Sequence, residues 1–122
     1  MGWNKFAAAA YARHNARASS HGICATYVRM AIRAGGIELP ITHFAKDYGP
    51  VLIHAGFRPL KPGETPQTGD IVVIQPRPGG NPAGHIALFD GSTWYSDFRQ
   101  RDMWGGPGYR QAKPSHVIYR MP

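Results

Sequence analysis

Helix-forming sequence stops near Gly56, and the remainder of the chain is punctuated by glycine and proline. That asymmetry restricts the chain to folds with helices first and a small sheet second. Residues 4–17 are rich in alanine and contain no Gly or Pro, which predicts a first helix with Phe6, Ala9, Ala10 and Arg13 along one face. Ser19 and Ser20 then offer capping oxygens, and Gly22 allows a tight turn. A second helix is predicted over Ile23–Ala34. In it Cys24, Val28, Ala31 and Ile32 fall on one stripe at helical spacing, with Arg29 and Arg33 on the other side. Gly35-Gly36 should stop it with a left-handed cap. A third helical region begins near Thr42. Gly49-Pro50 should interrupt it, Pro50 starting a new turn that ends by Gly56.

Lys61 to Pro66 reads as a turn-rich connector. Ile71-Val72-Val73-Ile74 is β-branched throughout and fits a central strand. Arg77 to Pro82 is a Pro/Gly loop, and His85–Phe89 is the next strand. Asp90-Gly91 signals a hairpin to a strand over Trp94–Phe98. An aromatic, glycine-rich loop (Met103–Gly108) and an edge strand (Val117–Tyr119) complete the chain. The expected architecture is α+β, with N-terminal helices packed on a small antiparallel sheet. Its 122 residues form one expected domain with no repeat or internal boundary.

The formal net charge is +7, which favours an anionic partner: nucleic acid, an acidic membrane or a cell-wall polymer. A single cysteine excludes an intramolecular disulfide. Met1 to His14 lacks the apolar core of an export signal, so synthesis in the cytoplasm without a signal peptide is expected. No stretch approaches the ~20 apolar residues of a membrane span. No metal site is expected, because one cysteine and scattered histidines lack paired-ligand spacing; no cofactor motif is present either.

The chemistry centres on Cys24. A thiol at a helix start is acidified by the unpaired N–H groups and the dipole, and the same N–H groups can hold an oxyanion. A small buried apolar role is the simpler alternative. His85, opening an apolar strand after Gly84, is the best placed of six histidines to act as a base. Asp97, on the following strand, could accept from its imidazole and set the tautomer. His21 lies near Cys24 and reads as cleft-lining or as a fallback base; His14, His43, His54 and His116 read as surface or packing residues. Asp70 and Asp90 read as turn residues. Trp94, Tyr95, Trp104 and Tyr109, near Arg99, Arg101 and Arg110, could line a groove for sugars, peptides or single-stranded nucleic acid, or pack as a cluster at the sheet edge.

The cysteine opening a helix, Gly-Asp-Ile-Val-Val-Ile, Gly-His-Ile-Ala-Leu-Phe-Asp-Gly and Tyr-Ser-Asp-Phe together resemble the papain-like NlpC/P60 and CHAP group of cell-wall peptidases, over roughly Ser19 to Trp104. Ser-His-Gly-Ile-Cys-Ala-Thr-Tyr-Val-Arg and Ser-Asp-Phe-Arg-Gln-Arg-Asp-Met-Trp-Gly are similar to segments of small amidase effectors and phage lysins of that group. Two departures stand out: Ile-Cys-Ala replaces the usual Asp-Cys-Ser, and Asp97 stands where CHAP members often use Glu or Asn.

The resemblance implies a papain-like fold and hydrolysis of an amide bond in peptidoglycan stem peptides. Cys24 would be the nucleophile, His85 the base and Asp97 the orienting residue. It further implies action in the periplasm or wall of a target bacterium, after delivery by a type VI machine or phage lysis. The expected partners are peptidoglycan and, on the first route, a cognate immunity protein, with no nucleic acid and no membrane insertion. An acyltransferase or protease on the same fold, or a basic nucleic-acid-binding module, are the competing classes.

Overall fold

The computed structural model describes residues 2–19 and 22–122. The first helix, α1, spans Lys5–Asn15 and is capped by Asn4, whose side-chain oxygen accepts the Ala7 N–H at 3.0 Å. Its buried face is Ala8, Ala9 and Ala12, small enough for close approach to a second helix, whereas Phe6 is 68% exposed. That second helix, α2, spans Cys24–Ala34 and buries Val28, Ala31 and Ile32, the expected stripe. It ends in a Schellman pattern: Gly36 N–H bonds the Arg33 carbonyl and Ile37 N–H the Ile32 carbonyl. Gly35 itself stays right-handed, and the left-handed residue is Gly36.

The third helical region departs from expectation. A 3₁₀ turn, Ala45–Asp47, runs into α3, Tyr48–His54, and Gly49-Pro50 lies inside its first turn. Pro50 is tolerated there because a first-turn N–H has no intrahelical partner to lose.

The sheet has five strands: β1 Arg58–Pro59, β2 Ile71–Ile74, β3 His85–Phe89, β4 Trp94–Tyr95 and β5 His116–Arg120. All pairings are antiparallel, in the spatial order β1-β5-β2-β3-β4. The C-terminal strand is therefore no edge: β5 lies between β1 and β2. The short β1, unpredicted, takes the edge. A further unpredicted element, helix α4, spans Pro107–Ala112.

β2 and β3 are buried on both faces. Ile71, Val73, Ile86 and Leu88 meet the helices in the main core. Val72, Ile74 and Ala87 face the other way and are covered by Trp94, Met103, Trp104 and Tyr109. Burying each large aliphatic side chain contributes about 1.5–3 kcal/mol. The C-terminal segment thus covers the sheet face that the helices leave bare. Among the described residues, no helix is long and apolar enough to cross a membrane.

Candidate active site

A cleft of about 560 Å³ opens where the start of α2, the start of β3 and the loop leading into α4 converge. Cys24 and His85 both line it. Cys24 is the first residue of α2, half-buried and packed on the main core. Ile23, the N-cap, brings no side-chain cap of its own. Asp97 replaces it: its Oδ2 accepts the Ile23 N–H at 3.2 Å, setting a fully buried carboxylate at the positive end of the helix.

Burial pushes the Cys24 thiol above its ordinary pKa, and the Asp97 charge adds to the rise. The N–H groups of Ile86, Ala25 and Cys24 itself act on the sulfur in the opposite direction. The helix start does favour the thiolate, as expected, but desolvation outweighs it. The contact with Ile86, the residue after His85, brings thiol and imidazole to the same end of the sheet.

His85 is 8% exposed and begins β3. Gly84 makes that position possible. It has φ +72°, and a Cβ there would sit 2.5 Å from the Ile74 carbonyl oxygen. The imidazole Nε2 lies 2.6 Å from Gln100 Oε1. The Gln100 amide nitrogen donates to the carbonyls of Asp102 (2.9 Å) and Met103 (3.2 Å). Two carbonyl acceptors fix which end of the amide is nitrogen, so Oε1 must accept. Nε2 must then carry the proton, and Nδ1 keeps its lone pair. Burial lowers the His85 pKa, opposed by the Gln100 hydrogen bond and the Asp97 charge. The ring packs against Tyr109, centroids 5.8 Å apart. Gly105 (φ +81°) presses on it from the loop: a Cβ there would lie 2.7 Å from Nε2.

Asp97 does not bond the imidazole, and a longer β4 would not have brought the two together. The register pairs Phe89 with Trp94 and Leu88 with Tyr95. Continued, it would set Asp97 opposite Ile86 and on the helix-facing side, while His85 packs on the other side with Tyr109. The strand ends instead at Tyr95, and the chain turns back until the Gln100 N–H reaches the Trp94 carbonyl at 2.9 Å. That reversal sends Asp97 to the start of α2 and Gln100 to His85.

Three expected substrate-binding residues lie outside the cleft. Trp94 packs on Phe89 beneath the sheet, Tyr95 belongs to the main core, and Trp104 packs edge-on against His116. Their large apolar surfaces are absorbed by packing. His21 lies outside the described residues. Of that aromatic segment Tyr109 does line the cleft, together with Arg29, Arg77 and His43, the last read from sequence as a surface or packing residue. No sequence pattern singles out Gln100; only its place in the segment after Asp97 hints at it. Asp70 and Asp90 are the turn residues expected, accepting the N–H groups of Gln67 and of Ser92 and Thr93. Among the described residues, no group of three or more His, Cys, Asp or Glu could hold a metal ion.

Helices laid over one face of an antiparallel sheet, with a helix-start thiol and a strand-start imidazole in one cleft, define a small α+β protein built around that cleft. Two solved structures match it over almost their whole length, both of the type VI effector–immunity complex Tae3–Tai3 from Ralstonia pickettii. The native form is 49% identical, covers 98% of this chain and 100% of the matched chain, and superposes with a TM-score of 0.93. The selenomethionine form is 50% identical, with 93% and 99% covered and a TM-score of 0.88. No protein-family model matches the chain. No curated protein matches it either. The chain belongs to the Tae3 family of type VI effectors.

Proposed function

We propose that this effector is a peptidoglycan amidase, a cysteine hydrolase of the NlpC/P60 and CHAP kind that cuts an amide bond in the stem peptide. The observation that carries the reading is the thiol of Cys24 sharing one cleft with an imidazole whose Nδ1 is left free to act as a base. The 122 residues would act as one catalytic domain. Kinship with Tae3 favours delivery by a type VI machine over release by phage lysis. That kinship supports action in the periplasm of a target cell, with a cognate immunity protein as partner.

In this mechanism His85 Nδ1 takes the thiol proton as Cys24 Sγ attacks the scissile carbonyl. The tetrahedral oxyanion is held by backbone N–H groups at the start of α2, including that of Cys24. The imidazolium then protonates the departing amine, leaving a thioester. Water attacks the thioester, giving a proton to His85, and Cys24 departs as the thiol. Gln100 and Asp97 are positioning residues. Gln100 holds the tautomer, and Asp97 caps the nucleophile's helix while its charge favours the imidazolium.

Digestion of purified sacculi by wild type and Cys24→Ala, with products separated and weighed, tests this. New muropeptides from wild type alone are expected, and their masses identify the bond. Equal inertness of both proteins would overturn cleavage of intact sacculi.

A further inference from the structure

Of the cleft-lining groups that the mechanism leaves unused, two are neighbours. Arg77 reaches into it from the loop after β2. Arg13, Arg58, Arg110 and Arg120 each pair with a carboxylate; among the described residues Arg77 has none within 4 Å, only the carbonyl of neighbouring Pro78 at 3.4 Å. Its side chain lies over two glycines. A Cβ on Gly80 would lie 2.6 Å from Arg77 Cγ, and one on Gly108 would lie 2.5 Å from Cζ and 2.6 Å from Nη2. Two glycines therefore make room for the guanidinium, which lies against the residue that precedes Tyr109.

Tyr109 supplies the second group. Its hydroxyl is the one buried side-chain polar atom, among the described residues, without a hydrogen-bond partner. Leaving a buried hydroxyl unpaired is unfavourable, so a filled site should contain its acceptor. The Arg77 charge and the Cys24 thiol both act on this phenol, which lies near both. No Asp or Glu is among the described residues lining the cleft. A cation and an unpaired O–H donor on one wall are complementary to a group with two acceptor oxygens and a negative charge.

We propose that Arg77 and the Tyr109 hydroxyl form a subsite for a free carboxylate on the substrate residue flanking the scissile amide. The inference rests on the amidase reading and narrows its substrate. The preferred peptide bears an ionised carboxyl beside the cleaved bond, and amidation of that carboxyl is discriminated against. One carboxylate oxygen meets the guanidinium, and the other accepts from the phenol. A charge-assisted contact of this kind corresponds to about a ten- to hundredfold preference.

The test uses two synthetic stem peptides that differ only in whether that carboxyl is free or amidated, the bond having been identified from the sacculus digest. Wild type should favour the free acid in kcat/KM by about tenfold or more. In Arg77→Gln the ratio should collapse towards one, and Arg77→Lys should recover part of it. Tyr109→Phe should lower the ratio while leaving the melting temperature unchanged or raised, because it removes an unpaired buried hydroxyl. Wild type indifferent to amidation, or an Arg77→Gln protein that keeps the full ratio, overturns the subsite and leaves the amidase intact. If sacculi resist the enzyme, calorimetric titration of a muropeptide carrying a free carboxyl, and of its amidated form, into Cys24→Ala still decides. Tighter binding of the acid that is lost in Arg77→Gln supports the subsite; equal binding overturns it.

Discussion

Gln100 decides which imidazole nitrogen is available. Its amide is pinned by two carbonyls, so its oxygen can only accept, and the His85 proton is held on Nε2. Gln100→Leu removes that acceptor and leaves a buried N–H unpaired, costing about 1–3 kcal/mol of stability. Because the Gln100 hydrogen bond raises the His85 pKa, its loss should also move the acid limb of the pH–rate profile to lower pH. The expected result is kcat down by as much as about 10²-fold, with that limb displaced. A loss of rate with an unmoved limb would reduce Gln100 to a packing role. The resting charge state is testable at the same scale. Burial raises the thiol pKa and lowers that of the imidazole, so both groups rest neutral at pH 7. Alkylation of Cys24 by iodoacetamide should accelerate only above the ordinary thiol range. A midpoint below pH 7 would instead reveal a standing thiolate–imidazolium pair.

At the scale of elements, α2 depends on a residue over seventy positions away for its cap. Asp97→Ala should cost about 1–2 kcal/mol through the orphaned Ile23 N–H, while Asp97→Asn should retain most of that stability, measured by denaturant unfolding. Both substitutions remove the buried charge that raises the Cys24 pKa, so both should move the alkylation midpoint to lower pH. Stability separates the two variants and titration unites them. This distant cap also marks how far local sequence could be read. The bounds of α1, α2, β2 and β3 follow from periodicity, β-branching and punctuation within each segment. The position of β5, the recruitment of Arg58–Pro59 as a strand and the early end of β4 depend on partners remote in sequence. Cys24 and His85 were legible because each opens a regular element. The roles of Asp97 and Gln100 hang on a chain reversal after Tyr95 that no short pattern encodes.

At the scale of the whole molecule, charge is divided between a closed network and an open cleft. Arg120 forks onto the buried Asp70 at 2.8 and 3.1 Å and also reaches Glu64 at 3.2 Å; Glu64 in turn takes two hydrogen bonds from Arg58, at 2.8 and 3.0 Å. This network ties β1, the connector, the turn before β2 and the end of β5 together, fastening the edge of the sheet farthest from the cleft. Arg120→Met would leave Asp70, 1% exposed, without its cation, and loss of a buried partner costs about 3–5 kcal/mol. Glu64 gives the network a pH signature. Hydrogen bonds from Arg58 and the Lys61 N–H, together with the Arg58 and Arg120 charges, lower its pKa from 4.5 to about 2. As pH falls the unfolded chain takes up the Glu64 proton first. The stabilisation is therefore complete above 4.5 and is lost progressively towards 2. Glu64→Gln should flatten the stability-against-pH curve across that window, measured by urea unfolding at a series of pH values. High salt should shrink the difference between the two proteins, because the pair is partly exposed. A wild-type curve already flat between 4.5 and 2 would mean that the network closes the sheet edge by geometry alone.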